Sequence, residues 1–433
     1  MIVRNTLNAL HNREYGSARP ALKDCLISSL ANFSSLSIHE DCCPVFCCRF
    51  CPSENSNHIL ATCNESGFLS LYNTNLEDDN ENILLKLSGD RRAVLWDSMT
   101  SSKLSEFAEH SQSIKAVSVC PDDPNVFATG GRDGKICLFD IRNRVKTSQG
   151  YIPAPLNFVI RSALLILGYF KPVNVINNAH YDSSCSSHST PRKKPRISSA
   201  RSESKNNPVT ALNFFDKTNL ISGACTETQI RWWDLRKTYS FLKCTPTPSR
   251  KLSTFGGKKI SSENQNYPSP MSPSLSRKCG FSNFCTDRDR TWLFAACTDN
   301  NLYQYSLNSS FDGPICVYKG ALIRSFYVRC VVSPTLPYVL CGSNDGRAYG
   351  WTLNTGNDLG KMTPPSANPL FYLQNDRIES QNEITTLAMN NRSTITTFSD
   401  DFRWRWWKMR FLSSEEEKAS SDFQRLELIA KKI

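Results

Sequence analysis

One unit recurs along this chain. It consists of a turn, a short strand in which polar and apolar residues alternate, and an aromatic residue followed by a polar one. Residues 130–140, with the sequence GGRDGKICLFD, form the clearest copy. An Asp-Gly pair supplies the positive φ of a tight hairpin turn, and the alternation fits a half-buried strand. The units end at seven pairs: Tyr72-Asn73, Trp96-Asp97, Phe139-Asp140, Trp233-Asp234, Tyr305-Ser306, Trp351-Thr352 and Trp407-Lys408.

The spacing of these endings indicates how the units are arranged. A four-stranded sheet of about 40–45 residues cannot bury both of its faces alone, so such sheets stack radially around an axis. Trp96 and Phe139 are 43 residues apart, and Tyr305 and Trp351 are 46 residues apart, each about one repeat. The longer intervals hold one repeat and inserted residues. We therefore expect an all-β protein: a seven-bladed WD40 β-propeller with one truncated blade and two disordered loop insertions.

The second blade is the truncated one. Only 24 residues separate Tyr72 from Trp96, which is about 19 residues, or two strands, short of a blade. Either a coding segment is missing from this sequence, or the chain is a variant with a half-built blade. Unpaired strand edges cost stability and favour aggregation, so the missing segment is the favoured interpretation. The apolar stretch 151–172 raises the same question, because it is unlike a loop and reads as translated intron.

The rest of the chain divides around the propeller. We expect an irregular N-terminal segment at 1–41, the propeller at 42–410 with flexible insertions at about 151–207 and 244–278, and a C-terminal tail at 411–433. Part of the N-terminal segment is a candidate for the outer strand that closes the ring. The N-terminus lacks a secretory pattern, and the longest apolar run is too short to cross a membrane, so we expect an intracellular protein without a membrane partner.

Composition narrows the class of function. The net charge of +11 is spread over turns and loops, so we expect no direct sequence-specific contact with nucleic acid. The 18 cysteines include a C-x-x-C pair, but no second pair completes a zinc shell, so we interpret them as core thiols and expect no metal. The densest group is Cys42, Cys43, Cys47, Cys48 and Cys51.

No arrangement of residues points to catalysis. The sequence contains no recognisable Ser-His-Asp set, phosphate-binding glycine loop or pair of acids, so we expect no catalytic residues, no cofactor and no enzyme activity. His110 and His180 precede blades, and we interpret both as members of buried hydrogen-bond sets with a turn carboxylate such as that of Asp133.

Several blade endings resemble those of a known family. Residues 64–74 (NESGFLSLYNT), 89–97 (GDRRAVLWD), 130–142 (GGRDGKICLFDIR) and 230–239 (IRWWDLRKTY) are similar to denticleless, and the resemblance extends over about 42–410. Denticleless proteins are WD-repeat substrate receptors of cullin-four RING E3 ubiquitin ligases. The resemblance implies a non-catalytic nuclear subunit that docks on the damaged-DNA-binding adaptor and presents PCNA-associated replication and cell-cycle proteins for ubiquitination.

The same resemblance implies an adaptor-binding motif. Receptors of this type have WD-x-R boxes, which match Phe139-Asp140-Ile141-Arg142, with Phe in place of Trp, and Trp233-Asp234-Leu235-Arg236. An arginine just after a strand can project outward, and its planar fork binds carbonyls or carboxylates through two nitrogens. The alternative is that Asp140 and Asp234 stabilise turns while Arg142 and Arg236 are merely solvated.

Two further features bear on partners and location. The basic group Arg192, Lys193, Lys194 and Arg196 lies in the first insertion and reads as a nuclear import signal, although it could also be a solvated loop. The family's long C-terminal tail with its clamp-binding peptide has no counterpart in these 433 residues, which leaves recruitment to the clamp open. The alternatives to a ligase receptor are a generic nuclear WD-repeat scaffold and a nucleic-acid-binding propeller, whose affinity would fall steeply with salt.

Overall fold

Short β-strands make up almost all regular structure in this protein. The computed structural model describes residues 30–37, 44–64, 68–74, 82–86, 91–97, 102–143, 169–181, 207–237, 248–253, 279–354, 364–374, 382–391, 394–401, 403–409 and 430–432. In these ranges the helical segments are two single 3-10 turns, Glu54–Ser56 and Leu235–Lys237. A WD40-type all-β propeller, as predicted, is confirmed.

Six sheets of four or five strands form the blades of the described structure. Strand β1 (Leu30–Ser37) comes first in the chain and belongs to the last blade. Blade 1 contains β2 (Val45–Phe50), β3 (Ile59–Asn64), β4 (Phe68–Asn73) and β5 (Asn82–Lys86). A three-stranded sheet, the partial sheet, follows with β6 (Arg92–Asp97), β7 (Ser102–Ala108) and β11 (Tyr169–Phe170). Blade 2 contains β8 (Ile114–Val119), β9 (Val126–Gly131), β10 (Ile136–Asp140) and β12 (Asn174–Ile176).

The remaining four blades follow in chain order. Blade 3 contains β13 (Val209–Phe214), β14 (Asn219–Ala224), β15 (Glu227–Asp234) and β16 (Arg250–Ser253). Blade 4 contains β17 (Phe281–Thr286), β18 (Trp292–Cys297), β19 (Asn301–Ser306), β20 (Cys316–Tyr318) and β24 (Ser366–Ala367). Blade 5 contains β21 (Cys330–Val332), β22 (Tyr338–Cys341), β23 (Arg347–Thr352), β25 (Phe371–Gln374) and β29 (Ala430–Lys432). Blade 6 contains β26 (Ile384–Met389), β27 (Thr394–Ser399), β28 (Arg403–Met409) and β1.

The first strand of each blade lines a central channel. Contacts join these inner strands in the order β8, β13, β17, β21, β26 and β2. Between blades 3 and 4, the hydroxyl of Thr210 donates to the carbonyl of Phe281 at 2.5 Å. Between blades 6 and 1, the thiol of Cys48 lies 3.5 Å from the hydroxyl of Thr386. These side-chain bonds hold neighbouring blades together at the axis.

The predicted count of seven blades is wrong for the described ranges, in which six blades surround the channel. Within the described residues, the partial sheet has the order β11-β7-β6, without the two inner strands of a blade. Its absence from the axis leaves one face of β8 uncovered, where Val117 and Val119 are 53% and 56% exposed. The corresponding residues of β13, Leu212 and Phe214, are buried against blade 2. The short interval between Tyr72 and Trp96 therefore corresponds to the two inner strands that this sheet does not contain.

The outer strands come from segments that the repeat pattern does not reveal. The N-terminal strand β1 pairs antiparallel with β28 as the outer strand of blade 6, so part of this segment does supply an outer strand, as the sequence suggested. Residues 174–176 (β12) and 250–253 (β16) lie inside the two predicted insertions, but they form the outer strands of blades 2 and 3. Short outer strands of this kind have no glycine turn or aromatic anchor of their own. The other residues of both insertions lie outside the described part of the chain.

Two residues at the end of the apolar stretch 151–172 also join the fold. Tyr169 and Phe170 form β11, which pairs in parallel with Glu106 and Phe107 of β7. Phe170 is buried, and its ring centroid lies 4.8 Å from that of Phe107. The end of this stretch therefore packs as core rather than as loop.

The aromatic anchors lie where the repeat predicts them. They lie one or two residues before the ends of their strands, and five of them are almost fully buried: Phe139, Trp233, Tyr305, Trp351 and Trp407. In the hairpin turn before β10, Gly134 has φ of 74°, the left-handed conformation that the Asp-Gly pair predicts. In the ranges that the structure describes, no helix is both long and apolar enough to span a bilayer.

Candidate docking face

The two D-x-R boxes begin at the ends of equivalent strands. Asp140 is the last residue of β10 and Asp234 is the last residue of β15. Because side chains alternate along a strand, the aromatic residue before each aspartate packs into the core and the carboxylate leaves the sheet at its end. Arg142 follows in a turn, and Arg236 lies in the 3-10 turn Leu235–Lys237.

Within the first box, the carboxylate holds both the backbone and the side chain of the arginine. The backbone N–H of Arg142 donates to Oδ1 of Asp140 at 2.9 Å. Its Nε donates to the same oxygen at 2.9 Å, and its Nη2 donates to Oδ2 at 2.7 Å. Nη2 also donates to Asp123 at 2.9 Å. Two carboxylates thus fix one edge of the guanidinium.

The second box has the same geometry. The backbone N–H of Arg236 donates to Oδ1 of Asp234 at 3.1 Å, Nε donates to this oxygen at 2.9 Å, and Nη2 donates to Oδ2 at 2.9 Å. Lys237 lies 3.8 Å from the same carboxylate. The aspartates therefore do stabilise turns, as one interpretation of the sequence held, and in addition they orient the arginines.

In each box, the aspartate and the arginine stabilise each other's charged form. The hydrogen bond from Arg142 is the main cause that holds the pKa of Asp140 below its ordinary value, and the one from Arg236 does the same for Asp234. The pKa of each arginine is raised, chiefly by its hydrogen bond to the aspartate. The two side chains are nevertheless 56% and 70% exposed, and their Nη1 atoms bond no group in the described ranges. Each box presents a rigid, partly free guanidinium to a partner.

Turns from blades 2, 3 and 4 meet on this face. Arg290, in the turn after β17, forms two hydrogen bonds to Asp122 of blade 2, at 2.8 and 3.0 Å, and donates to the carbonyl of Phe215 in blade 3 at 3.1 Å. The charge of Lys217, in the turn after β13, helps to lower the pKa of Asp140. The surface defined by Asp123, Arg142, Lys217, Arg236 and Arg290 is called the docking face below.

Sequence reasoning missed part of this face. It did not single out Asp123 or Arg290, because their partners lie 19 and 168 residues away in the chain. A weak signal was available for Asp123, since an acidic turn after the first strand recurs as Asp216 and Asp287 in the next blades. The predicted import residues Arg192, Lys193, Lys194 and Arg196 lie outside the described residues.

The two histidines lie in buried hydrogen-bond networks, as predicted. His110 contacts Asp133 through Nδ1 at 3.0 Å and Thr129 through Nε2 at 2.8 Å. His180 contacts Ser222 through Nε2 at 2.8 Å, and the indole of Trp233 donates to the same hydroxyl at 2.8 Å. The turn carboxylate of the second network is Glu227 rather than an aspartate, 2.8 Å from Nδ1. Burial lowers the pKa of His180, so this ring is neutral at pH 7.

Cysteines in the ranges described form no disulfides, and their positions follow strand alternation. Cys48 on β2 is buried as predicted, whereas its neighbour Cys47 points the other way and is exposed. Cys51 is partly buried, and Cys42 and Cys43 lie outside the described ranges. Burial raises the pKa of the Cys48 thiol well above its ordinary value, so the thiol remains protonated. These same ranges contain no group of three or more ligand-type side chains suited to a metal.

Comparison with known proteins agrees with the fold. A protein-family profile described as "WD domain, G-beta repeat" matches residues 101–140, which comprise β7 to β10. Denticleless protein homolog A of Xenopus laevis is 29% identical over 405 residues, covering 88% of this chain and 50% of that protein. The denticleless protein homolog of Homo sapiens is 28% identical, covering 88% of this chain and 48% of that protein. Protein lethal(2)denticleless of Drosophila melanogaster is 29% identical, covering 84% and 45%.

These relatives are longer proteins. The chain spans about half the length of the curated relatives that it matches. The similarity covers 84–88% of the present chain. The propeller, the repeat profile and the agreement with several relatives together show that this chain is a denticleless-like WD-repeat protein.

Proposed function

We propose that this protein is a substrate-recognition subunit of a cullin-four RING E3 ubiquitin ligase and has no active site of its own. Its docking face binds the damaged-DNA-binding adaptor of the ligase. Another part of the propeller presents PCNA-associated replication and cell-cycle proteins for ubiquitination in the nucleus. The observation that supports this proposal is the pair of D-x-R boxes with matching geometry in consecutive blades of a denticleless-like chain.

The geometry of the boxes suits recognition of a protein surface. Each aspartate binds Nε and Nη2 of its arginine, so the side chain loses little further conformational entropy when a partner binds. The remaining nitrogen, Nη1, is directed away from that carboxylate and can donate to a backbone carbonyl or a side-chain acid of the adaptor. Exposed, pre-oriented arginines are frequent hot spots of protein interfaces.

A pull-down from nuclear extract with the full chain tests the docking assignment. The wild-type protein is expected to recover the adaptor. The variant with both Arg142→Ala and Arg236→Ala is expected to lose this recovery, because removal of one hot-spot arginine commonly weakens binding by about tenfold or more. Arg142→Lys with Arg236→Lys retains the charge but not the planar fork, so it is expected to recover only a small part of the binding.

A matched control separates docking from folding. Arg250 pairs with Asp312 at 2.7 Å on the outer strand of blade 3, and its other described contacts are with Phe311 and Trp232 rather than with the residues that define the docking face. Arg250→Ala removes a comparable ion pair and is expected to leave adaptor recovery unchanged. Thermal melting of all variants shows whether the propeller is intact. If the double alanine variant melts like the wild type and still recovers the adaptor, the assignment of the docking face is wrong.

The same purification tests the alternative function. A generic nuclear WD-repeat scaffold would recover stable partners without adaptor or cullin, and that result would replace the ligase proposal. A direct role in nucleic-acid binding predicts affinity for DNA that falls steeply with salt. The proposal instead expects weak binding to DNA of any sequence.

Nuclear location is part of the proposal and has its own test. The basic group Arg192, Lys193, Lys194 and Arg196 is the proposed import signal. A fluorescent fusion of the full chain is expected to accumulate in the nucleus, and replacement of the four residues by alanine is expected to shift it to the cytoplasm. An unchanged distribution would contradict the import assignment without touching the docking face.

A further inference from the structure

The turn between the first two strands of blade 4 is longer than its counterparts in blades 2 and 3. In those two blades, the aspartate of the turn, Asp123 or Asp216, lies three positions before the next strand. In blade 4, Asp287 lies five positions before β18. The longer turn carries Arg290, whose guanidinium contacts both neighbouring turns.

Toward blade 2, Arg290 holds the turn that supports the first D-x-R box. Its Nη1 and Nη2 donate to the carboxylate of Asp122 at 3.0 and 2.8 Å, and this pairing is the main cause that lowers the pKa of Asp122. The adjacent Asp123 accepts from Nη2 of Arg142 at 2.9 Å. Because the two aspartates are neighbours in one turn, a shift of Asp122 moves the carboxylate that orients Arg142.

Toward blade 3, the same guanidinium holds the turn beside the second box. Nη1 of Arg290 donates to the carbonyl of Phe215 at 3.1 Å. The residue after this phenylalanine is Asp216. The pKa of Arg236 is raised chiefly by its hydrogen bond to Asp234, and the charge of Asp216 adds to this rise. One arginine thus connects the supports of both boxes.

The backbone of Arg290 has an unfavourable conformation. Its φ is 54°, in the left-handed region that glycine and asparagine adopt more easily than arginine does. Its ion pair with Asp122 is partly exposed, and such pairs contribute little to stability. The backbone strain is of the same order as the largest contribution of a surface ion pair, so stability alone does not explain an arginine at this position. A strained residue of this kind points to a functional role.

We propose that Arg290 is a positioning residue that holds the two D-x-R boxes in the relative orientation that the adaptor binds. This role rests on the proposed binding of the adaptor by the docking face. Both Nη atoms of Arg290 bond groups within the chain. By contrast, Nη1 of Arg142 and of Arg236 bonds no group in the part of the chain that the structure describes. Arg290 therefore acts through the two turns, and their fixed orientation reduces the entropy lost when the adaptor binds.

Surface plasmon resonance with the full chain and the purified adaptor tests this role. Arg290→Asn suits the left-handed backbone but removes the bridge. It is expected to melt at the wild-type temperature or above and to bind the adaptor about three- to tenfold more weakly. Asp122→Ala removes the bridge from its other end and is expected to weaken binding to a similar extent. Arg250→Asn is the matched control, because Arg250 likewise bonds a carboxylate, that of Asp312, and a phenylalanine carbonyl, that of Phe311, in the neighbouring blade. This control is expected to bind like the wild type.

A second comparison distinguishes positioning from direct contact with the adaptor. In the Arg142→Ala background, the part of the effect that acts through the first box is already lost. Arg290→Asn is therefore expected to weaken binding by a smaller factor there than in the wild type, and the same holds for the Arg236→Ala background. Equal factors in all three backgrounds would show that Arg290 acts independently of the boxes, and would overturn the positioning role.

The remaining outcomes separate this role from the docking assignment. If the wild type does not bind the adaptor, the proposed function fails and the positioning role fails with it. If the wild type binds and both bridge variants bind equally well, only the positioning role is overturned. A melting temperature that falls together with the affinity in both bridge variants would assign the loss to folding, and would overturn the positioning role as well.

Discussion

The buried carboxylate of Asp133 offers a quantitative test of the fold. Its side chain is 3% exposed and lies in the turn between β9 and β10. Oδ1 accepts from His110 at 3.0 Å and from the backbone N–H of Lys135 at 3.2 Å. Oδ2 accepts from the backbone N–H of Ser111 at 2.9 Å and from its hydroxyl at 3.3 Å. One charged side chain thus joins the loop before blade 2 to the central hairpin of that blade.

The pKa of Asp133 provides the magnitude. Burial alone would raise this pKa, but the hydrogen bonds from His110 and Ser111 outweigh it and lower the value from 3.8 to about 2. One pKa unit corresponds to about 1.4 kcal/mol, so the ionised carboxylate stabilises the fold by about 2 kcal/mol. Because the folded pKa is the lower one, this stability is fully present above pH 3.8. It is lost as the pH falls from 3.8 towards 2.

The experiment compares the wild type with Asp133→Asn in urea at several pH values. At pH 7 the variant is expected to have a free energy of unfolding lower by about 2 kcal/mol, because an amide has one acceptor oxygen and cannot serve both the Ser111 donors and the donors of His110 and Lys135. The difference between the two proteins is expected to shrink below pH 3.8, where the wild-type carboxyl begins to bind a proton. A difference that stays constant down to pH 3, or a variant as stable as the wild type at pH 7, would refute this account of the network.

Three more predictions concern the blades. Val117→Thr with Val119→Thr is expected to reduce concentration-dependent self-association with little change in melting temperature, because both residues are exposed beside the partial sheet. Sedimentation velocity measures the self-association, and a wild type that is strictly monomeric would contradict the prediction. Gly280→Ala is expected to lower the free energy of unfolding by about 1–3 kcal/mol, since the new Cβ would lie 2.2 Å from the backbone carbonyl of Cys225; an unchanged urea midpoint would show that this approach is not tight. Trp233→Phe removes the indole N–H that donates to the buried hydroxyl of Ser222 at 2.8 Å. The free energy of unfolding in urea is expected to fall by about 1–2 kcal/mol, and an unchanged value would show that solvent reaches that hydroxyl.

Local sequence determined the parts of this protein that depend on neighbouring residues. The turn at Gly134 needs a positive φ, and an Asp-Gly pair encodes it within two positions. Phe139 and Trp233 lie one residue before the ends of strands, so alternation alone predicts that they point into the core and that Asp140 and Asp234 follow at the rim. The D-x-R boxes were therefore visible before the fold was known, and only their hydrogen bonds were not.

Only the tertiary structure decided how many blades surround the channel and which residues line it. The pairing of β1 with β28 joins residues more than 360 positions apart, and nothing in either segment encodes its partner. In the sequence, Trp96 marks the third strand of a blade, and the partial sheet therefore looks like a complete one. The described sheet does not contain the inner strands that would reach the central channel. Arg49 and Arg329 lie on different blades, and each resembles an ordinary surface arginine in the sequence. Contacts between distant segments depend on which surfaces remain to be buried after each hairpin has formed, and this is a property of the whole chain rather than of any window in it.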